Sequence, residues 1–184
     1  MNPIIRNKTR ILRPSEATVL INAIPKRIHE LRLKFLLLSG MRYIEAKRFF
    51  EHPEWFDGGF IHLPPMAIRK SKRTQKERSV RLNQWGKEVT KSFLELGTNL
   101  PTWTTWGENL KRWAVKGGIA PDCLCPKSTR KTMESWLVYY YTDKITLVLL
   151  SQGHNMTTSL NHYLNMPFTQ EDKNGMKPYV EGWI

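Results

Sequence analysis

Residues Leu36 to Phe49 read LLLSGMRYIEAKRF: an aliphatic run, a serine–glycine turn, and an arginine, Arg42, three residues ahead of Glu45. Upstream, Ile28, Leu31, Phe35 and Leu38 recur at helical spacing, so the run closes a helix with an apolar stripe. Gly40 suits the left-handed conformation that ends such a helix. A third helix is then expected from about Tyr43 to Phe50. Arg42 therefore stands where one buried helix stops and the next starts, and what a guanidinium does there becomes the functional question.

Working outward, helix recurs far more often than strand. RPSEATVLINAI reads as a short helix capped by Ser15, and further helices are expected at about 84–96, 102–116, 127–141, 143–151 and 156–164. GGFIHLP and KERSVRLN are the convincing strands, joined by the basic PMAIRKSKRTQ, which predicts a long basic hairpin or small sheet. Proline and glycine clusters at 117–126 separate two helical groups, with one core expected to span both. At 184 residues, 40% hydrophobic with seven tryptophans, the chain can bury the core of one ordinary domain.

The formal net charge is +13, unevenly spread. Residues 1–131 hold 26 Lys and Arg against 11 Asp and Glu, a net of +15, while residues 132–184 are near −2. The basicity thus belongs to the body of the protein and favours a polyanionic partner, nucleic acid before membrane. No run of eighteen apolar residues and no signal-peptide core is visible, so a cytoplasmic protein is expected, in a host cell if the gene is viral or plasmid-borne. Cys123 and Cys125 form a C-L-C too tight for an easy disulfide and without a second ligand pair for zinc, and they read as reduced structural cysteines.

Three further segments carry chemistry. Between Arg69 and Arg81 lie seven basic residues and one acid, in the segment expected to project as a hairpin and contact DNA. In PKSTRKTMESWL, Lys127 and Arg130 share one face of a helix start beside free backbone N–H groups, a place suited to an anion. In LLSQGHNMTTSLNHYLNMPF, Gly153 ends a helix, His154 follows it, and Tyr163 lies nine residues later. Taken singly, that histidine and that tyrosine are more often structural than catalytic.

Their order changes the reading. SGMRYIEA resembles the first arginine box of the tyrosine recombinases, the phage-integrase family, usually T-G-L-R-x-x-E. KSTRKT resembles the second box, usually H-x-x-R-H-T, and QGHNMTTSLNHY the terminal L-G-H box with its tyrosine nine residues on. The resemblance covers roughly residues 13–168. Lys127 and Lys131 stand where the second box usually has histidines, and a lysine at the first position is similar to archaeal and archaeal-virus integrases.

The resemblance implies a mainly α-helical catalytic core with a small antiparallel β-sheet or hairpin. It implies site-specific recombination or integration, by DNA cleavage through a 3′-phosphotyrosine and religation, without metal or other cofactor. A phenolate nucleophile conserves the bond energy and leaves well enough to make the step reversible. Tyr163 is the candidate nucleophile. Arg42 and Arg130 would fork the non-bridging oxygens, with Glu45 orienting Arg42. Lys72, or Lys70, would protonate the leaving 5′-oxygen, His154 would bond the phosphate, and Lys127 would do so or assist proton transfer. Lys70, Arg73, Lys76 and Arg78 are the expected DNA-binding residues of the hairpin.

The implied partner is double-stranded DNA, held by a homotetramer across two sites, with no membrane. Arg42 comes too early to leave room for the family's N-terminal core-binding domain, so a single catalytic domain over 1–184 is expected, as a fragment or a minimal recombinase. A type IB topoisomerase shares the chemistry without exchanging partners, and a non-catalytic DNA-binding derivative would need none of Arg42, Arg130 and Tyr163 together. The tail from Thr169 to Ile184 reads either as a surface strand or as a segment docking on a neighbouring protomer.

Overall fold

Helix α2 (Arg27–Ser39) is the axis on which the chain is packed. Its first half is half-buried, but Leu33 and the run Phe35 to Ser39 are covered on every side, because α1 (Pro14–Asn22), α4 (Gln84–Leu94) and α6 (Ser128–Tyr140) all lean on it. Phe35 stacks on Phe93 of α4 with ring centroids 3.9 Å apart, and Phe49 of α3 (Tyr43–Glu51) stacks on Phe35 at 5.7 Å. A computed structural model describes residues 2–67, 77–153 and 166–184.

Among those residues the order is β1 (Ile4–Arg6), β2 (Thr9–Ile11), α1, α2, α3, β3 (Phe60–Leu63), β4 (Arg78–Arg81), α4, α5 (Trp103–Lys116), α6, α7 (Ile145–Gln152) and α8 (Gln170–Val180). β3 and β4 pair antiparallel in the register Ile61↔Val80 and Leu63↔Arg78, which is the small sheet expected from GGFIHLP and KERSVRLN. The fold is thus mainly α with small antiparallel sheets, as the resemblance implied. The expected helix over 156–164 lies outside the described residues.

Three local expectations are corrected. Helix α1 is not capped by Ser15: Arg13 is the N-cap, Pro14 occupies the first turn, and the Glu16 carboxylate accepts the Arg13 backbone N–H at 2.8 Å. A second antiparallel pair, β1–β2, precedes α1, with Ile4↔Ile11 and Arg6↔Thr9 in register. It is tied to α6 by the Leu12 N–H, which donates to Thr132 Oγ1 at 2.9 Å, and by Trp136 Nε1, which donates to the Leu12 carbonyl at 3.0 Å.

The tail is neither surface strand nor free. Thr169 caps α8 by accepting the Asp172 N–H at 3.1 Å, while Asp172 accepts the Thr169 N–H at 2.9 Å. Asp172 also pairs with Arg13, and Met176, Val180 and Trp183 are buried. Gly175 lets α8 press on α1, since a Cβ there would lie 2.9 Å from that of Pro14.

Candidate active site

The turn between α2 and α3 is built as its sequence suggests. Gly40 takes φ +58°, the left-handed conformation that favours glycine, and a Cβ there would meet the Gln152 amide at 3.1 Å, so any larger residue would have to displace that side chain. Arg42 is the N-cap of α3, in extended conformation. Glu45, one turn on, accepts the Arg42 backbone N–H at 2.7 Å and the Arg42 guanidinium at 2.8 Å. Glu45 therefore holds Arg42 by both backbone and side chain.

Glu45 does more than orient one arginine. Its Oε2 also accepts Arg78 Nη2 at 2.7 Å, and Arg130 Nη1 lies 3.9 Å from the same oxygen. Arg130 donates to the Gly40 carbonyl at 2.9 Å and to the Gln152 carbonyl at 2.5 Å, and pairs with Glu134 at 2.7 Å. α3, β4 and α6 thus converge on one carboxylate, and the end of α7 is joined to them through the Ser151 and Gln152 carbonyls that Arg78 and Arg130 reach. The two arginine boxes, 88 residues apart along the chain, are brought together through it.

The charges settle accordingly. Burial alone would push the Glu45 carboxyl up, but Arg78, Arg130 and Arg42, with the Arg42 N–H, together hold it below its ordinary value. Burial lowers Arg78 to about 10 despite Glu45, with Arg130 and Arg42 adding repulsion, so it stays charged at neutral pH. Among the described residues three guanidiniums, of Arg42, Arg78 and Arg130, meet two carboxylates, of Glu45 and Glu134. The Arg42 side chain keeps 32% of its surface in water, against 9% for Arg130 and 4% for Arg78. Net positive charge with one open guanidinium is an arrangement that accepts an anion.

Arg78 corrects the reading of the hairpin. It was expected among the DNA-contacting cations, but its guanidinium turns inward to Glu45 and donates to the Ser151 carbonyl at 2.6 Å. The strand period is the reason: Arg78 and Val80 share the buried face of β4 while Ser79 points out. Gln152 was also missed. It is 1% exposed, its amide lies against Gly40, and neither Oε1 nor Nε2 has a hydrogen-bond partner among the described residues. Nothing in the sequence distinguishes it from a helix-terminal polar residue.

Lys127 is exposed at the start of α6, and Lys131, one turn later, is half-buried. Lys70, Lys72, Arg73, Lys76, His154 and Tyr163 lie outside the described residues. The described chain approaches the last two from both sides, through Gly153, which ends α7, and Met166, which is buried. Cys123 and Cys125 are free thiols. Among the described residues no group of three His, Cys, Asp or Glu could hold a metal ion, and no helix is long and apolar enough to cross a membrane.

No family model matches the chain, and no curated protein does. Among solved structures it is similar to the Tn1549 transposon integrase, in a form carrying a tyrosine-to-phenylalanine substitution and bound to transposon right-end DNA. The TM-score is 0.59 at 13% identity, over 98% of this chain and 68% of that one. The likeness is one of fold alone. It lends nothing to the closeness with archaeal integrases that Lys127 suggested.

Proposed function

We propose that this chain cleaves and rejoins double-stranded DNA as a tyrosine-type site-specific recombinase. The observation that carries the reading is the convergence of Arg42 and Arg130 on buried Glu45, with Arg42 left open to solvent. A merely basic DNA-binding domain has no need to bury a carboxylate among three arginines. The neighbour's DNA complex supports a DNA partner for this fold.

In this reading Arg42 and Arg130 bind the non-bridging oxygens of the scissile phosphate and stabilise the charge that grows on them as phosphorus becomes five-coordinate. The Tyr163 oxygen attacks phosphorus, the bond to the 5′-oxygen breaks, and a 3′-phosphotyrosyl bond conserves the energy for religation. The phenolic proton leaves toward Lys127 or solvent. The 5′-oxygen takes a proton from Lys72 or Lys70, and His154 bonds the phosphate. Exchange between two sites calls for four protomers.

The test is covalent trapping. A nicked suicide duplex carrying candidate sites is incubated with the protein, and denaturation-resistant adducts are resolved on a gel. An adduct that disappears in Tyr163→Phe is the expected result. Duplexes that the protein binds but never attaches to would overturn the catalytic reading.

A further inference from the structure

The two-residue turn of the β1–β2 hairpin is Asn7–Lys8, with φ of +49° and +56°. Two successive left-handed residues make the hairpin geometry that matches strand twist, and Asn-Gly is its favoured pair. Asparagine tolerates that region; a lysine there is strained where a glycine is not. The Lys8 side chain is exposed, so burial does not account for its presence. An uncommon backbone conformation kept at an exposed tip points to what the side chain meets outside the protein.

The hairpin is tied to the body of the protein through both of its strands. The Arg10 N–H donates to the Cys123 carbonyl at 2.9 Å, and the Arg10 guanidinium donates to the Ala120 carbonyl at 2.7 Å. Lys131 Nζ donates to the Arg6 carbonyl at 3.3 Å, fixing the hairpin against the first turn of α6. Lys127 begins that turn and Arg130 lies within it. Lys131 is lowered by partial burial and then by the charge of Lys127, so these two cations are close enough to repel. The hairpin thus continues a positive surface from the edge of the candidate active site.

We propose that the β1–β2 hairpin is a second phosphate-binding arm, in which Lys8, at the tip of the hairpin that Lys131 ties to the first turn of α6, holds the backbone of duplex DNA near the bond engaged by Arg42 and Arg130. The proposal rests on the DNA-cleaving reading. The contact is to phosphate and carries no base information.

The experiment measures binding of the full chain to a fluorescently labelled duplex by anisotropy across a salt series, for wild type, Lys8→Gly and Lys8→Arg. Lys8→Gly removes the charge while giving the turn its favoured residue. We expect it to melt no lower than wild type yet bind DNA about fivefold to tenfold more weakly at 0.1 M salt. Its slope of log K against log salt should be shallower by about 0.9, the value of one phosphate contact. Lys8→Arg should bind as wild type does. Unchanged affinity and slope in Lys8→Gly, with wild type still forming the Tyr163 adduct, would overturn the arm alone. A lower melting temperature would remove the strain argument and overturn it likewise. Wild-type protein that binds no duplex at any salt would refute both readings.

Discussion

Replacing Glu45 by glutamine tests the architecture of the site at its centre. The carboxylate is fully buried, accepts the Arg42 N–H at 2.7 Å, Arg42 Nη1 at 2.8 Å and Arg78 Nη2 at 2.7 Å, and lies 3.9 Å from Arg130. Glutamine keeps the shape and one acceptor but removes the negative charge that Arg42, Arg78 and Arg130 share. Removing one member of a buried ion pair costs roughly 3–5 kcal/mol, and the retained acceptor puts the expected loss at the lower end, about 3 kcal/mol. For a chain of this size that is a fall of about 6–12 °C in Tm.

The pH dependence has a definite sign. Glu45 is held below its ordinary 4.5 in the folded protein, so its contribution is complete above that value and is lost as pH falls through the lower folded pKa. Urea denaturation of wild type and Glu45→Gln between pH 7 and pH 3 measures both effects. We expect a gap of about 3 kcal/mol at pH 7 that narrows on the acid side as the wild type surrenders this term. A loss under about 1 kcal/mol at pH 7, with parallel acid limbs, would refute the claim that Glu45 holds the three arginines.

Two further substitutions probe the neighbouring parts. Gly40→Ala places a Cβ at φ +58° and 3.1 Å from the Gln152 amide, so a loss of about 1–2 kcal/mol is expected from the conformation alone, read by thermal melting. Because the Gly40 carbonyl also accepts Arg130, the rate of adduct formation should fall with it. Arg130→Lys keeps the charge but cannot donate to both the Gly40 and Gln152 carbonyls while forking a phosphate. Its adduct rate on the suicide duplex should drop about 10²- to 10³-fold with DNA affinity little changed.

Much of the fold was legible because its signals are local. The stripe Ile28, Leu31, Phe35, Leu38 and the glycine after it identified α2 and its end, although the second half of α2 is buried all round and not on one face. The β1–β2 pair escaped because each strand has only three residues and its turn lacks the glycine that marks a hairpin. The tail helix did leave a signal, Thr169 three residues before Asp172 ahead of the buried Met176 and Val180, and reading that as a capping box would have found it. Arg78 was misread because its charge weighed more than its place in the alternation with Ser79 and Val80.

By itself the sequence determined the helical class, the turn at Gly40, the pairing of Arg42 with Glu45 one helical turn on, and the order of the boxes. The helical class and the Arg42–Glu45 pair depend on spacings of three or four residues, which backbone geometry converts directly into adjacency. Tertiary structure alone decided that Arg78 and Arg130 share the Glu45 carboxylate and that Asp172 reaches back to Arg13. It also decided that the Gln152 amide fills the space beside Gly40. Those neighbours lie 33 to 159 residues apart in the chain, and what joins them is the burial of apolar faces that turns the helix ends inward together.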